Sequence, residues 1–334
     1  METEQPARGH ASAVHPIHPH VEVHPAPDIA RGATDDVIII GGGPAGLSAA
    51  LILGRCRRRV VVVDAGKPRN RASHGLHGFL GHDGIKPTDL LRIGREQLSQ
   101  YDSVRIRDNV VTDVRQVENG FEVMLEDDTT LRARKLLLAT GVVDHLPEIP
   151  GIEALYGRSV HHCPYCDGWE HRDEPLAVYA RDQEAIALAR MLTLWSRDVA
   201  LCTGGEFPLS DEDRQELARH GIQLREEPIA RLEGEDGTLQ RIVFTEGEPL
   251  PRRAMFFHNG QHTRTQLARK LGCSFTEQEF IEADDQQMTC APGIYVAGDA
   301  YKDVQLAIIA AAEGARAAFA INKALIYEDL VPKS

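Results

Sequence analysis

An α/β architecture of two Rossmann-like three-layer domains is the fold class this sequence predicts, and three observations predict it. The β-branched run Val37-Ile38-Ile39-Ile40 leads directly into Gly41-Gly42-Gly43-Pro44-Ala45-Gly46 and a helical stretch to about Cys56, the strand, glycine turn and helix of a dinucleotide-binding unit. Near the far end, Gly293-Ile294-Tyr295-Val296-Ala297-Gly298-Asp299 is a second strand ending in glycine, followed by an alanine-rich helical stretch from about Val304 to Leu325. Between them, Leu176-Ala177-Val178-Tyr179-Ala180 and the segment after it repeat the strand–helix theme. The first domain is therefore expected to be discontinuous, residues 35–150 and 285–328, with residues 151–284 inserted as a smaller second domain.

Each element follows in order. Gly41 permits the tight turn, Gly43 lets the backbone approach a pyrophosphate, and Gly46 lets helix and strand pack closely, with Pro44 and Ala45 opening the helix toward the anion. Val60-Val61-Val62-Val63-Asp64 reads as a buried strand ending in an acid 18 residues past Gly46, where a carboxylate can bond a ribose; the alternative is a solvated loop acid. Lys67 and Asn70, directly after it, are candidate cofactor contacts. The stretch from Pro68 to Gly84 is a loop rich in glycine and histidine, in which His74, His77 and His82 are either proton acceptors or backbone-bonding loop residues. Val110-Val111 and Phe121–Leu125, with turn signals at Asn119-Gly120 and Asp127-Asp128, predict a β-hairpin on the first sheet. Gly237 and Gly247 flank a strand at Arg241–Phe244 in the inserted domain.

Within that domain lies His161-His162-Cys163-Pro164-Tyr165-Cys166-Asp167-Gly168. Two cysteines so spaced can close a small disulfide, and their thiolates can attack a substrate disulfide or a flavin. The spacing also suits half a zinc site, but a structural zinc needs four ligands, usually including a second pair. Cys56, Cys202, Cys273 and Cys290 are scattered singly, so the expectation is no metal. A pair of inert buried thiols is the remaining alternative.

Three further motifs decide between these readings. The segment ending Gly298-Asp299 resembles a FAD signature whose aspartate bonds the ribityl chain. Gln305-Leu306-Ala307 resembles the segment whose backbone contacts the flavin ring. Leu137-Leu138-Ala139-Thr140-Gly141, followed by Pro147-Glu148-Ile149-Pro150-Gly151, resembles the element where the chain leaves the flavin domain. From Asp35 to about Tyr327 the chain is similar to the low-molecular-weight thioredoxin reductases of the pyridine nucleotide-disulfide oxidoreductase superfamily. The resemblance implies FAD as cofactor, Cys166 as the thiol exchanging electrons with flavin, Cys163 as the thiol attacking substrate, and Asp167 as the acid/base. It also implies a homodimer and, as partner, a thioredoxin-like protein or a small-molecule dithiol or disulfide.

One departure bears on the electron donor. Where those reductases carry a second glycine turn and a 2′-phosphate-binding arginine segment, this chain reads Tyr179-Ala180-Arg181-Asp182-Gln183-Glu184 and then Thr203-Gly204-Gly205-Glu206-Phe207. Side chains crowd the turn and carboxylates repel a pyrophosphate, leaving Arg181 and Arg190 as phosphate ligands at most. NADPH in the usual pose is therefore doubtful. The pattern resembles the branch that keeps the thiol pair without NADPH and includes dithiol oxidases, whereas Asp167 is the thioredoxin-reductase choice. Three readings stay open: a disulfide reductase, an oxygen-dependent dithiol oxidase, and a non-turnover flavin/thiol redox sensor.

Composition excludes other classes. A net charge of −13 with no basic stripe argues against nucleic acid and anionic membranes. No apolar run reaches membrane-spanning length, and six cysteines with one close pair suit a reducing, cytoplasmic setting. Residues 1–34, rich in Pro and His (His10, His15, His18, His20, His24), read as a disordered tail.

Overall fold

The computed structural model of the protein describes residues 34–205, 208–302 and 304–330; the expected N-terminal tail and the Glu206 carboxylate lie outside them. The strand Asp35–Ile40 is buried along its whole length. Parallel neighbours cover both of its edges, Val60–Asp64 on one side and Thr130–Leu138 on the other, and Val104–Asp108 extends the sheet further. A strand with both faces covered favours apolar residues, which is why the valine and isoleucine runs are continuous, and the two buried acids that open this one, Asp35 and Asp36, are paired with Arg105 and Arg134.

Thr130–Leu138 changes partner along its length. Its first half pairs antiparallel with Gly120–Leu125 and its second half pairs parallel with Ile294–Val296. The parallel arrangement brings Gly41, Thr140 and Gly298 to the same carboxyl edge of one sheet, the edge where open α/β sheets bind ligands. The expected hairpin is present as Val111–Val117 against Gly120–Leu125.

Two helices cover one face of this sheet, Pro44–Arg55 and Ala307–Leu330. Leu47, Ala50 and Leu53 pack with Ala310, Ala317 and Ile321 in one apolar cluster. The helices approach so closely that a Cβ at Gly314 would lie 2.0 Å from the Ala45 carbonyl oxygen. The last helix differs from the expected Val304–Leu325 at both ends. Gln305 and Leu306 lie outside the helix and line the cleft described below. At the other end, Arg58 and Arg134 bind Asp329, and Arg134 also binds Glu328, holding the final turn.

The second sheet is parallel throughout, in the order Gln223–Arg225, Val199–Cys202, Leu176–Ala180, Ala254–His258, Val160–His161. The helices Glu184–Leu192 and Asp211–Arg219 cover one face, where Val178, Ala189, Leu217 and Phe256 meet. An antiparallel layer of Ile229–Glu235, Thr238–Phe244 and Leu250–Pro251 covers the other, through Leu232, Ile242, Met255 and Phe257. The two cysteines follow directly from the edge strand Val160–His161. Among the described residues, no helix is long and apolar enough to cross a membrane.

Candidate active site

A cleft of about 900 Å³ runs along the carboxyl edge of the first sheet and reaches Cys166 and Asp167. It gathers Gly41, Gly43, Pro44, Ala45, Asp64, Lys67, Asn70, Thr140, Gly141, Gly298, Asp299, Gln305, Leu306 and Ala307, every cofactor candidate expected except Gly46. Gly46 sits behind them and acts by packing: a Cβ there would lie 1.9 Å from the Gly41 carbonyl oxygen. Gly41 adopts φ +114°, and a Cβ would meet the Ala139 carbonyl oxygen at 2.1 Å, so both position and conformation require glycine. Gly43 faces open space, with nothing within 4 Å of where its Cβ would be.

The helix Pro44–Arg55 begins with no side-chain cap and no acid in its first turn. Its first N–H groups are left facing the cleft, a setting that favours an anion. Two buried side-chain atoms on the cleft wall, Thr140 Oγ1 and Gln305 Nε2, have no hydrogen-bond partner. Buried polar atoms seldom go unpaired, so these point to a polar occupant. Asp64 is held by Arg95 at 2.5 Å, and Gly298 N–H donates to Glu313 Oε2 at 2.8 Å, fixing the turn that carries Asp299.

Cys163 and Cys166 are joined as a disulfide, with Cα atoms 5.3 Å apart. The short helix Pro164–Asp167 starts at Cys163, and the N–H groups of Cys166 and Asp167 both donate to the Cys163 carbonyl oxygen at 3.2 Å. Gly168 closes that turn where only glycine fits, because a Cβ would come within 2.9 Å of the Trp195 ring. Cys166 and Asp167 line the cleft, whereas Cys163 does not. Among the described residues, no group of three His, Cys, Asp or Glu side chains is placed to hold a metal ion.

Sequence reasoning missed the ionic network at the centre of the cleft. Arg69 donates from Nε to Asp144 Oδ2 at 2.7 Å, pairs with Asp299 at 3.2 Å, and bonds Gln305 and Gln261. Tyr156 O–H donates to the same Asp144 oxygen at 2.7 Å. Burial pushes the Tyr156 hydroxyl far above its ordinary range, reinforced by Asp144. Burial also raises the Asp299 carboxyl, with Arg69 opposing. Asp144 goes the other way: burial raises it, but its bond to Arg69, the neighbouring His162 and the Tyr156 hydroxyl bring it below the usual carboxylate range. His162, at the cleft wall beside Tyr156, is lowered to about 4 by desolvation and by Arg69. The adjacency of Arg69 to Lys67 and Asn70 was the available signal.

Of the loop histidines, His77 lines the cleft and sits 3.4 Å from Glu170, whereas His74 and His82 lie outside the lining. The free cysteines divide into the buried Cys202 and Cys273 and the exposed Cys56 and Cys290.

The second sheet ends in a different kind of turn. Asp182 Oδ1 accepts from the Glu184 N–H at 3.1 Å, and Asp182 Oδ2 pairs with His258 at 3.0 Å. A carboxylate thus occupies the start of the helix Glu184–Leu192. Arg190 is engaged by Glu216 at 2.7 Å, and Arg181 Nε donates to the Tyr179 hydroxyl at 2.6 Å.

This is the two-sheet frame of a flavin-dependent disulfide oxidoreductase. Residues 35–314 match the pyridine nucleotide-disulphide oxidoreductase family, and the chain belongs to that family. Its relatives make it thioredoxin-reductase-like and imply FAD binding. It is 32% identical over 278 residues to the thioredoxin reductase tcpT of Claviceps purpurea, spanning 79% of this chain and 86% of that protein. The crystal structure of HlmI superposes with a TM-score of 0.85 at 37% identity, covering 89% of this chain and 94% of HlmI. An oxidoreductase from Agrobacterium tumefaciens gives a TM-score of 0.83 at 33% identity, covering 88% and 99%.

Proposed function

We propose that this protein oxidises dithiols at the Cys163–Cys166 disulfide and passes the electrons to FAD, without a pyridine nucleotide. The observation that carries this reading is Asp182: its carboxylate accepts the Glu184 N–H at the start of the helix Glu184–Leu192, at the place a nucleotide pyrophosphate would need. The first cleft fits FAD on its own features, namely the uncapped helix, the open face of Gly43 and the unpaired Thr140 and Gln305 atoms. There Gly41–Gly46 would hold the pyrophosphate, Asp64 the adenosine ribose, Asp299 the ribityl chain, and Gln305–Ala307 the ring. Lys67, Asn70, Thr140 and Gly141 complete the wall. FAD, when bound, supplies a two-electron acceptor that dioxygen can empty as hydrogen peroxide.

The chain's own part is thiol chemistry. A substrate thiolate attacks Cys163 Sγ, breaking the Sγ–Sγ bond and releasing Cys166 as a thiolate. The second substrate thiolate attacks the mixed disulfide, the substrate leaves oxidised, and Cys163 is released in turn. Asp167 gives a proton to the departing Cys166 thiolate, which makes it a better leaving group. The position of Cys166 on the cleft wall, with Cys163 off it, supports the division of labour between the two sulfurs.

Replacing Cys163 with Ser tests the assignment. Dithiol turnover is expected to fall to background, with bound FAD retained; full turnover in that variant would overturn it.

A further inference from the structure

A line of four titratable side chains begins at Asp167 and leads out from the cleft. Asp167 Oδ1 lies 3.3 Å from His161 Nδ1. His161 Nε2 lies 3.1 Å from His171 Nε2, and His171 Nδ1 lies 2.9 Å from Glu174 Oε2. His161 is only 4% exposed, and Phe256 packs against both imidazoles, while the Glu174 side chain is 37% exposed. The line is fixed at both ends. His161 belongs to the edge strand of the second sheet. At the other end, Ser196 Oγ–H donates to the Glu174 carbonyl at 2.6 Å, and the Asp173 N–H donates to the Trp195 carbonyl at 2.8 Å.

A proton count gives this line its meaning. Each outer contact is an imidazole nitrogen facing a carboxylate oxygen, and the middle one joins two nitrogens. Satisfying all three takes three ring protons, but two neutral imidazoles carry only two. With both carboxylates ionised, one additional proton on the histidine pair would satisfy all three contacts between two negative charges.

We propose that His161 and His171 are a proton reservoir that reloads Asp167 during thiol exchange, an inference that rests on the acid role given to Asp167 above. At rest both carboxylates are ionised and the pair holds its extra proton, on Nδ1 of His161 and on both nitrogens of His171. As Cys166 leaves, the Asp167 carboxylate takes the proton of His161 Nδ1 and gives it to Cys166 Sγ. His161 Nε2 then takes the proton of His171 Nε2, and His171 keeps its Nδ1–H toward Glu174. Two N–H bonds break, one S–H and one N–H bond form, and no electrons move. Two neutral imidazoles remain, and the half-exposed outer end exchanges protons with water. The reverse shuttle takes up a proton when the thiol is deprotonated. His161 and His171 act through Asp167 and are positioning residues. Besides Asp167 and Glu174, the groups facing the line are Arg253, 4.0 Å from Glu174 Oε1, and the neighbouring His162, neutral at pH 7.

The experiment is anaerobic stopped-flow bleaching of the FAD-loaded protein by dithiothreitol across neutral pH. It compares the unaltered chain with His171→Gln and with Glu174→Gln, the second being a partly exposed site that keeps the test available if the first variant folds poorly. Asp167→Asn sets the scale, with a loss on the order of 10² to 10⁴ in rate. Each reservoir variant is expected to slow bleaching by about tenfold, to flatten its pH profile and to lose the solvent deuterium isotope effect, with FAD content unchanged. Rates and pH profiles that superimpose on those of the unaltered chain would overturn the reservoir while leaving the thiol assignment standing. An unaltered chain that dithiothreitol does not bleach would overturn the thiol assignment and the reservoir with it.

Discussion

The two main sheets of this protein carry two strand–turn–helix units of the same design, and they treat the start of the helix in opposite ways. At Gly41–Gly46 the turn is bare: the helix Pro44–Arg55 has no side-chain cap, and Gly43 faces open space. At Arg181–Glu184 the turn carries side chains, and Asp182 supplies the acceptor that a bound phosphate would supply. A helix N-terminus attracts anions wherever its N–H groups are left unpaired. The fold alone thus does not decide whether a Rossmann-like unit binds a dinucleotide; the occupancy of a few N–H groups does.

Filling the open turn is the most severe way to break this contrast. In Gly46→Val the new Cβ would press on the Gly41 carbonyl oxygen from 1.9 Å. Overpacking of that kind costs about 1–3 kcal/mol, so FAD affinity is expected to fall roughly 10- to 100-fold. The ratio of visible to ultraviolet absorption after purification reads this directly, and an unchanged ratio would contradict the packing argument.

Emptying the filled turn is gentler. Asp182→Ala removes the carboxylate from the helix start, which is worth about 0.3–1 kcal/mol for an anion there. NADPH affinity, followed by calorimetry, is expected to rise by no more than about fivefold, because the turn still lacks its glycines. A gain of several orders of magnitude would mean that Asp182 alone had blocked a site otherwise complete.

The parts of this molecule legible in its sequence are those where backbone geometry dictates residue type. Gly41 and Gly46 tolerate no Cβ, and the buried strand at Asp35–Ile40 tolerates few polar groups, so both leave a local signature. The Arg69 network leaves none. Asp144, Gln261 and Asp299 reach Arg69, and Tyr156 reaches Asp144, from separate elements brought together only by tertiary packing. The pairing of His161 with His171 was hidden for a related reason: a turn folds the chain back so that two residues ten apart face each other. The last helix was misplaced because the apolar pattern continues back through Val304–Leu306, whereas the helix begins only at Ala307.

The central claim is that electrons enter through a dithiol and not through a nucleotide. Its most direct test is anaerobic mixing of the FAD-loaded protein with excess NADPH, in parallel with a dithiol, while following the visible flavin absorption. The account predicts no bleaching by NADPH, bleaching by the dithiol, and recovery on admitting air. Bleaching by NADPH at a catalytic rate would contradict it and return the protein to the nucleotide-driven reductases.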